Sequence, residues 1–390
     1  MENWIGTWTA SPMTTWPGDP VVYGFHQQTV RQVLRVSKGG RKLRVRLSNE
    51  CGTSVIKIGC AAIAKAGTEG RIVPGTHRPI TFGGESETSL VPGAPLLSDA
   101  IDLDAANLEQ LAVSIFFPEF VPIETYHFEA QQTAFISEYG NFAEATELPV
   151  QQTSTSSYFL TAVLVECDPG VGSLACLGDS ITDGFGSTID GNARWPDQLA
   201  NRFAASGRLA DVSVLNLGIG GNRVLNSRGR GLSALARFDR DVLSLPLVKW
   251  LAVFEGINDI GWPESPLAGD QEIVTAPQLT SAYKQLIARA RLHGMKVLLA
   301  TLPPFANVLE GLPLRTFYSP SKDQKRKDVN EWIRNASKAD AVVDLEQALA
   351  DPENPSMLLP KFDCGDHLHP SDAGYGEIAR QFEIAFSRLS

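Results

Sequence analysis

The chain holds 390 residues, 43% hydrophobic and 20% charged, which excludes a disordered polymer and gives length for two or three domains. With 34 Lys and Arg against 44 Asp and Glu the net charge is −10, and no basic run is long enough to displace counterions from nucleic acid or to grip an anionic membrane. No apolar stretch approaches the ~18 residues of a membrane-spanning helix. From the N-terminus, Met1 to Trp8 lacks the basic n-region and apolar h-region of a secretory signal, so the chain as written reads as cytoplasmic, and as secreted if Met1 replaces a removed signal. Up to about residue 170 the pattern is short and alternating. Val33, Leu34 and Val36 lead into Lys38-Gly39-Gly40, a hairpin signal, and Leu43, Val45 and Leu47 then alternate with Arg44, Arg46 and Ser48 as a half-buried strand. Leu111, Val113 and Ile115 alternate again, and Ser157 to Val165 predicts a further strand. Gly67-Thr68-Glu69-Gly70 and Gly83-Gly84-Glu85-Ser86 supply turns. Residues 1–170 are therefore expected to form an all-β sandwich, jelly-roll-like.

From residue 171 to 390 strands and helices take turns. Leu174 to Leu177, Val212 to Leu215, Val248 to Phe254, Lys296 to Ala300 and Ala341 to Leu345 are apolar runs without alternation, as suits strands buried on both faces of a parallel sheet. Helical stripes lie between and after them: Trp195, Leu199 and Phe203; Tyr283, Leu286, Ile287 and Ala290; Tyr375, Ile378, Ala379, Phe382 and Phe386. Lys322 to Lys327, broken by Asp323, reads as a solvated helix face. Five β/α alternations predict an open three-layer α/β/α domain whose site collects at the carboxyl ends of the strands. The 5 cysteines, Cys51, Cys60, Cys167, Cys176 and Cys364, have no zinc-ligand spacing and are expected as buried, reduced thiols.

The candidate chemistry lies at those strand ends. Ser180 follows the first strand in Gly178-Asp179-Ser180-Ile181-Thr182-Asp183-Gly184, without the Gly-x-Ser-x-Gly of a nucleophile elbow. A serine nucleophile needs a base, commonly a histidine oriented by a carboxylate. Asp363-Cys364-Gly365-Asp366-His367-Leu368-His369-Pro370 offers a compact Asp366–His369 pair in the last loop. Donors for an oxyanion are available in Asn216-Leu217-Gly218-Ile219-Gly220-Gly221-Asn222 and in Gly256-Ile257-Asn258-Asp259.

These four blocks, in this order from about residue 172 to the end, resemble the SGNH, or GDSL, hydrolase family, whose catalytic domain is flavodoxin-like. The resemblance implies a serine esterase or acylhydrolase that needs no metal or organic cofactor, with Ser180 as nucleophile, His369 as general base and Asp366 as its orienting carboxylate. It places the oxyanion hole at the Ser180 N–H, the Gly221 N–H and the Asn258 side chain. Gly221 is preferred to Gly220 because the family's glycine follows an Asn by five positions, and Asn216 fits. Arg194-Trp195-Pro196-Asp197, Gly221 to Leu225 and Thr7 to Pro12 are similar to a bacterial arylesterase-like or acylhydrolase-like subgroup in which a β-sandwich precedes the hydrolase domain.

Other readings stand beside these. Asp363, Asp366, His367 and His369 have the residue types of a metal-dependent hydrolase, which would leave Ser180, Gly221 and Asn258 without a common explanation. Cys364 beside His367 has nothing to lower its pKa as a nucleophile, and Gly218 to Gly221 lacks full dinucleotide-loop spacing. Asp179 reads as a brace of the serine loop, Asp183 as a cap, Trp195 as core and Arg223 as an ion-pair partner or a pocket residue. Phe185, Trp262 and Phe305 either line an acyl or aryl pocket or pack in the core. The expected substrate is a small or aryl ester, the alternative an acetylated glycan.

Overall fold

The computed structural model describes residues 3–16, 23–265, 268, 272–308 and 316–389. Met1 lies outside them. The chain divides into two compact units, one of Met1–Val171 with Ile189–Asn192 and Asp211–Leu215, the other of Gly172–Thr188, Ala193–Ala210 and Asn216–Ser390.

The first unit is all-β. Its main sheets, among the described residues, are antiparallel. One has the order Asn3–Thr9, Leu160–Cys167, Gly40–Ser48, Ile101–Ala105, with Pro95–Leu97 also paired to Gly40–Ser48. The other has the order Val150–Ser154, Ala134–Tyr139, Gln28–Arg35, Gln110–Phe117, Cys60–Lys65, Arg78–Ile80. Leu43, Val45 and Leu47 are fully buried while Arg44 and Arg46 are half-buried, as period-two alternation requires. Two expectations are corrected here. Gln28–Arg35 and Gly40–Ser48 belong to different sheets, so Lys38-Gly39-Gly40 turns a corner between sheets and closes no hairpin; the Val36 and Ser37 N–H groups donate to Glu109 and Thr7 instead of across a ladder. The strand expected over Ser157 to Val165 is interrupted at Phe159, which is left-handed at φ 58°, and resumes as Leu160–Cys167.

Residues 172–390 are built on a parallel sheet. Its strands are β1 (Gly172–Gly178), β2 (Val212–Gly218), β3 (Val248–Phe254), β4 (Lys296–Ala300) and β5 (Ala341–Val343), in the spatial order 2-1-3-4-5. The α-helices, among the described residues, are α1 (Ser180–Asp183), α2 (Trp195–Ala205), α3 (Ala234–Phe238), α4 (Ile257–Gly261), α5 (Ala276–Leu292), α6 (Pro320–Ala336), α7 (Leu345–Leu349) and α8 (Asp372–Ser387). Right-handed crossovers with this order put α2 on one face and α3, α5 and α6 on the other, because the chain reverses its march across the sheet after β2. Packing agrees. Trp195 of α2 stacks on Phe382 of α8, centroids 4.3 Å apart at 7°, and Tyr283 of α5 stacks on Trp332 of α6 at 6.3 Å.

Local chemistry sets the helix starts. Ser319 and Ser371 cap α6 and α8, each accepting from a backbone N–H three residues on, and Thr275 with Gln278 forms a capping box on α5. Lys322 is not on a solvated face as expected. It is 4% exposed, and its Nζ donates to the Gly261, Pro263 and Thr316 carbonyls, holding a cation at the C-terminal end of α4. The thiols also depart from expectation. Cys176 is buried, Cys51, Cys60 and Cys167 are half-buried, and Cys364 is exposed in the loop before α8.

Candidate active site

The serine, glycine and asparagine blocks end or follow β1, β2 and β3, and the Asp363–Pro370 block lies between α7 and α8. The β1 chain stops at Gly178, and Asp179 starts α1 by accepting the Ile181 N–H on its side chain at 3.0 Å. The Asp179 carbonyl takes the Thr182 and Asp183 N–H groups at 3.0 and 2.9 Å. The Ser180 N–H, at the first position of the helix, has no acceptor among the described residues. Burial pushes the Asp179 carboxyl up to about 7 against the Ile181 hydrogen bond, and the side chain is 2% exposed. Asp179 thus braces the turn and offers no surface to a ligand.

Ser180 Oγ lies 2.8 Å from His369 Nε2, although the two residues are 189 apart in the chain. His369 Nδ1 lies 2.6 Å from Asp366 Oδ2. Asp366 Oδ1 accepts the Leu368 and His369 N–H groups at 2.9 and 2.8 Å, so the loop wraps its own carboxylate. Burial alone would raise the Asp366 pKa, but the hydrogen bond and charge of His369 and these two N–H groups outweigh it and hold the carboxyl well below its ordinary range. The Asp366 carboxylate favours the tautomer with its proton on Nδ1, in which Nε2 is an acceptor facing the serine hydroxyl.

His367 is a neighbour with a different partner. Its Nδ1 meets Asp363 Oδ2 at 2.6 Å and its N–H donates to Asp363 Oδ1. Both ring nitrogens of His369 are engaged, by Ser180 and Asp366. The potential ligand atoms that converge among the described residues belong to Asp363, Cys364 and Asp366, with no imidazole in the group. The donor set expected for a metal-dependent hydrolase in this loop is therefore not assembled. Burial and nearby Asp366 push the Cys364 thiol up to about 11, the reverse of what a nucleophilic cysteine needs.

Gly221 follows β2. Its φ is +73°, and a Cβ there would stand 2.9 Å from the Trp262 ring, so the position has room for glycine alone. The flanking N–H groups are occupied: Ile219 donates to Gly178 O at 3.1 Å, Gly220 to Asp183 Oδ2 at 3.1 Å and Asn222 to Ile219 O at 3.0 Å. Between them the Gly221 N–H has no acceptor among the described residues. Asn258, in the first turn of α4 after β3, is 3% exposed and gives one amide hydrogen to Asn222 O at 2.9 Å, the other having no acceptor among the described residues.

Of the aromatic and basic residues considered for substrate contact, Phe185 alone is substantially exposed, at 37%, with its ring centroid 4.4 Å from that of His369. Trp262 packs on Gly221 and lies beneath the Arg223 guanidinium at 5.1 Å. Arg223 is buried and ion-paired with Glu272. Phe305 is fully buried between Phe317 and Tyr318, so the pocket role weighed for it gives way to core packing.

Sequence reading passed over a buried charge cluster beneath these loops. Arg237 donates to the Gly178 and Leu217 carbonyls, to Asn222 Oδ1 and to Asp241, and faces Glu255 at 3.6 Å. Burial pushes Glu255 up to about 8, Arg237 only partly offsetting it, and Asp259 up to about 6 against the Val224 and Leu225 N–H groups. Glu255 abuts the Gly256–Asp259 block, which was its one available signal. Arg237 sits in a short helix with no motif.

A GDSL-like Lipase/Acylhydrolase family model matches residues 176–376. Among curated proteins no match was found. Similar solved structures include a GDSL-like lipase from Bacteroides thetaiotaomicron, 20% identical with a TM-score of 0.38, covering 56% of this chain and 89% of that one. Another is an acetylxylan esterase from Geobacillus stearothermophilus, 22% identical with a TM-score of 0.40, covering 55% of this chain and 93% of that one.

Proposed function

Because the chain belongs to the GDSL-like lipase/acylhydrolase family and is an ester hydrolase, we propose that it cleaves small carboxylic or aryl esters through an acyl-enzyme on Ser180. His369 Nε2 takes the hydroxyl proton as Ser180 Oγ attacks the ester carbonyl. Asp366 holds the Nδ1–H tautomer and stabilises the imidazolium that forms. The developing oxyanion accepts from the Ser180 N–H, the Gly221 N–H and the second amide hydrogen of Asn258. His369 returns the proton to the leaving alcohol, and water, deprotonated by the same base, releases the acid. Catalysis is assigned to residues 171–390, preceded by an all-β sandwich domain over 1–170.

The observation that carries this reading is the hydrogen-bonded line Ser180–His369–Asp366, with the Ser180 and Gly221 N–H groups, which have no acceptor among the described residues, following neighbouring strands. Phe185, exposed beside His369, supplies an apolar wall for an acyl or aryl group. The test is hydrolysis of p-nitrophenyl acetate by Ser180→Ala and His369→Ala, each checked for native circular dichroism, with and without a chelator. Both variants are expected to lose turnover, and the parent to be indifferent to the chelator. Full turnover in either folded variant contradicts the assignment. A panel of p-nitrophenyl esters beside acetylated xylan reads the substrate class.

A further inference from the structure

The loop that carries Gly221 is held from two sides by carboxylates that have no proton to move in the proposed reaction. On one side is Asp183, the last residue of α1, three positions after Ser180 and 3% exposed. Its Oδ2 accepts the Gly220 N–H at 3.1 Å. The two segments are in close contact beside this bond. A Cβ on Gly218 would stand 2.2 Å from the Asp183 N, and the Asn216 side chain bridges them, donating to Thr182 O at 2.8 Å and accepting the Gly218 N–H at 2.9 Å. On the other side is Asp259, immediately after Asn258 and 1% exposed. Both its oxygens are used: Oδ2 accepts the Val224 N–H at 2.7 Å and Oδ1 the Leu225 N–H at 3.0 Å. Asn222, midway, gives its carbonyl to Asn258.

We infer that Asp183 and Asp259 are positioning residues that clamp the Gly218–Leu225 loop to the elements bearing Ser180 and Asn258, and so hold the Gly221 N–H and the Asn258 amide on one oxyanion. The inference rests on the proposed acyl-enzyme reading. The physical reason is directional. An N–H stabilises an oxyanion only when it is already aimed there, since any reorganisation during reaction subtracts from its effect. Occupying the Gly220 N–H settles the orientation of the peptide next to Gly221. Anchoring Val224 and Leu225 fixes the other end of the same loop. A carboxylate suits the task because it accepts from two N–H groups at once and bonds them more strongly than a neutral oxygen does.

The test is a set of variants, Asp183→Ala, Asp183→Asn, Asp259→Ala and Asp259→Asn, alone and with Asn258→Ala, assayed on p-nitrophenyl acetate. A boronic acid that forms a tetrahedral adduct on Ser180 is titrated against each. The Ala variants are expected to lose about 10- to 100-fold in kcat with KM within about threefold, and to lose boronate affinity in proportion. Asp183→Asn, which keeps an acceptor for Gly220, is expected to recover most of the loss. Asp259→Asn, which keeps one acceptor of two, is expected to recover part of it. In the Asn258→Ala background the losses are expected to shrink, because the groups act on one anion. A kcat within about threefold of the parent in folded Ala variants, or losses that multiply fully with Asn258→Ala, overturns the inference. If an Ala variant fails to fold, the corresponding Leu variant, which fills the space and offers no acceptor, is judged by the same kcat, KM and boronate criteria. Ser180→Ala, run alongside, separates the two failures: an active Ser180→Ala overturns the acyl-enzyme reading itself, whereas an inactive one with unaffected Asp variants overturns only the clamp.

Discussion

The Asn258 amide donates to the Asn222 carbonyl at 2.9 Å, tying the start of α4 to the residue that follows Gly221. One amide hydrogen is thereby fixed, and the direction of the other is fixed with it. A side chain held in this way gives up no rotamer freedom when charge develops on the substrate. Asn258→Ala is expected to lower kcat by about 10²–10³-fold and to leave KM nearly unchanged. Steady-state kinetics on p-nitrophenyl acetate checks this, and a loss confined to KM would place Asn258 in ground-state binding instead.

Asp366 is expected to act through the orientation and charge of His369. Its carboxylate receives two backbone N–H groups as well as the imidazole, so Asp366→Asn keeps the size of the side chain but lets the ring settle in the wrong tautomer. A fall in kcat of about 10³–10⁴-fold is expected, with unchanged thermal stability to within a few degrees. A fall of less than about tenfold would mean that His369 is oriented by other contacts.

Phe185 presents an exposed ring beside the His369 imidazole, tilted at 48° to it. Apolar contact with a longer acyl chain gains about 0.8 kcal/mol per buried methylene. Phe185→Ala is therefore expected to shift the ratio of kcat/KM for the butyrate ester over the acetate ester by about threefold or more. Measured side by side, an unchanged ratio would remove Phe185 from the pocket.

Glu255 carries a pH dependence of stability. Burial pushes its carboxyl up to about 8, from an ordinary value of 4.5, and no hydrogen-bond partner meets either oxygen among the described residues. Between those values the folded protein holds a proton that the unfolded chain has already released. Stability therefore falls as pH rises through this window and stops falling above it. Asp179 and Asp259, raised to about 7 and about 6, act in the same direction over lower ranges. Glu255→Gln, neutral throughout, is expected to lose less stability than the parent between about pH 6 and about pH 9, by about 3 °C or more in Tm. Parallel Tm curves for the two proteins would show that Glu255 does not titrate there.

Much of the second unit is legible in the sequence because its signals are local. Apolar runs such as Val248 to Phe254 and stripes such as Trp195, Leu199 and Phe203 state their own burial. Ser180 and Asn258 stand in short motifs at strand ends and His369 in one just before α8, so family likeness could mark them before any distance was known. Pairing between distant strands is another matter. Lys38-Gly39-Gly40 has hairpin composition, yet the flanking strands find partners far along the chain, at Gln110–Phe117 and Leu160–Cys167, and only the finished sheets decide between a hairpin and a corner. Lys322 misleads for a related reason. A lysine in a charged run reads as solvated, and the carbonyls that draw it inward include those of Gly261 and Thr316. The contact between Arg237 and Glu255 is invisible for the same cause, since the short helix of one and the strand end of the other meet only in the finished fold.

Covalent trapping at Ser180 tests the proposed mechanism most directly. The protein is treated with diethyl p-nitrophenyl phosphate, its residual esterase activity is followed, and the modified residue is mapped by tandem mass spectrometry. An acyl-enzyme mechanism predicts a single phosphoryl adduct on Ser180, formed in step with loss of activity, and none in Ser180→Ala. Inactivation with Ser180 unmodified, or full activity with Ser180 fully labelled, would contradict it.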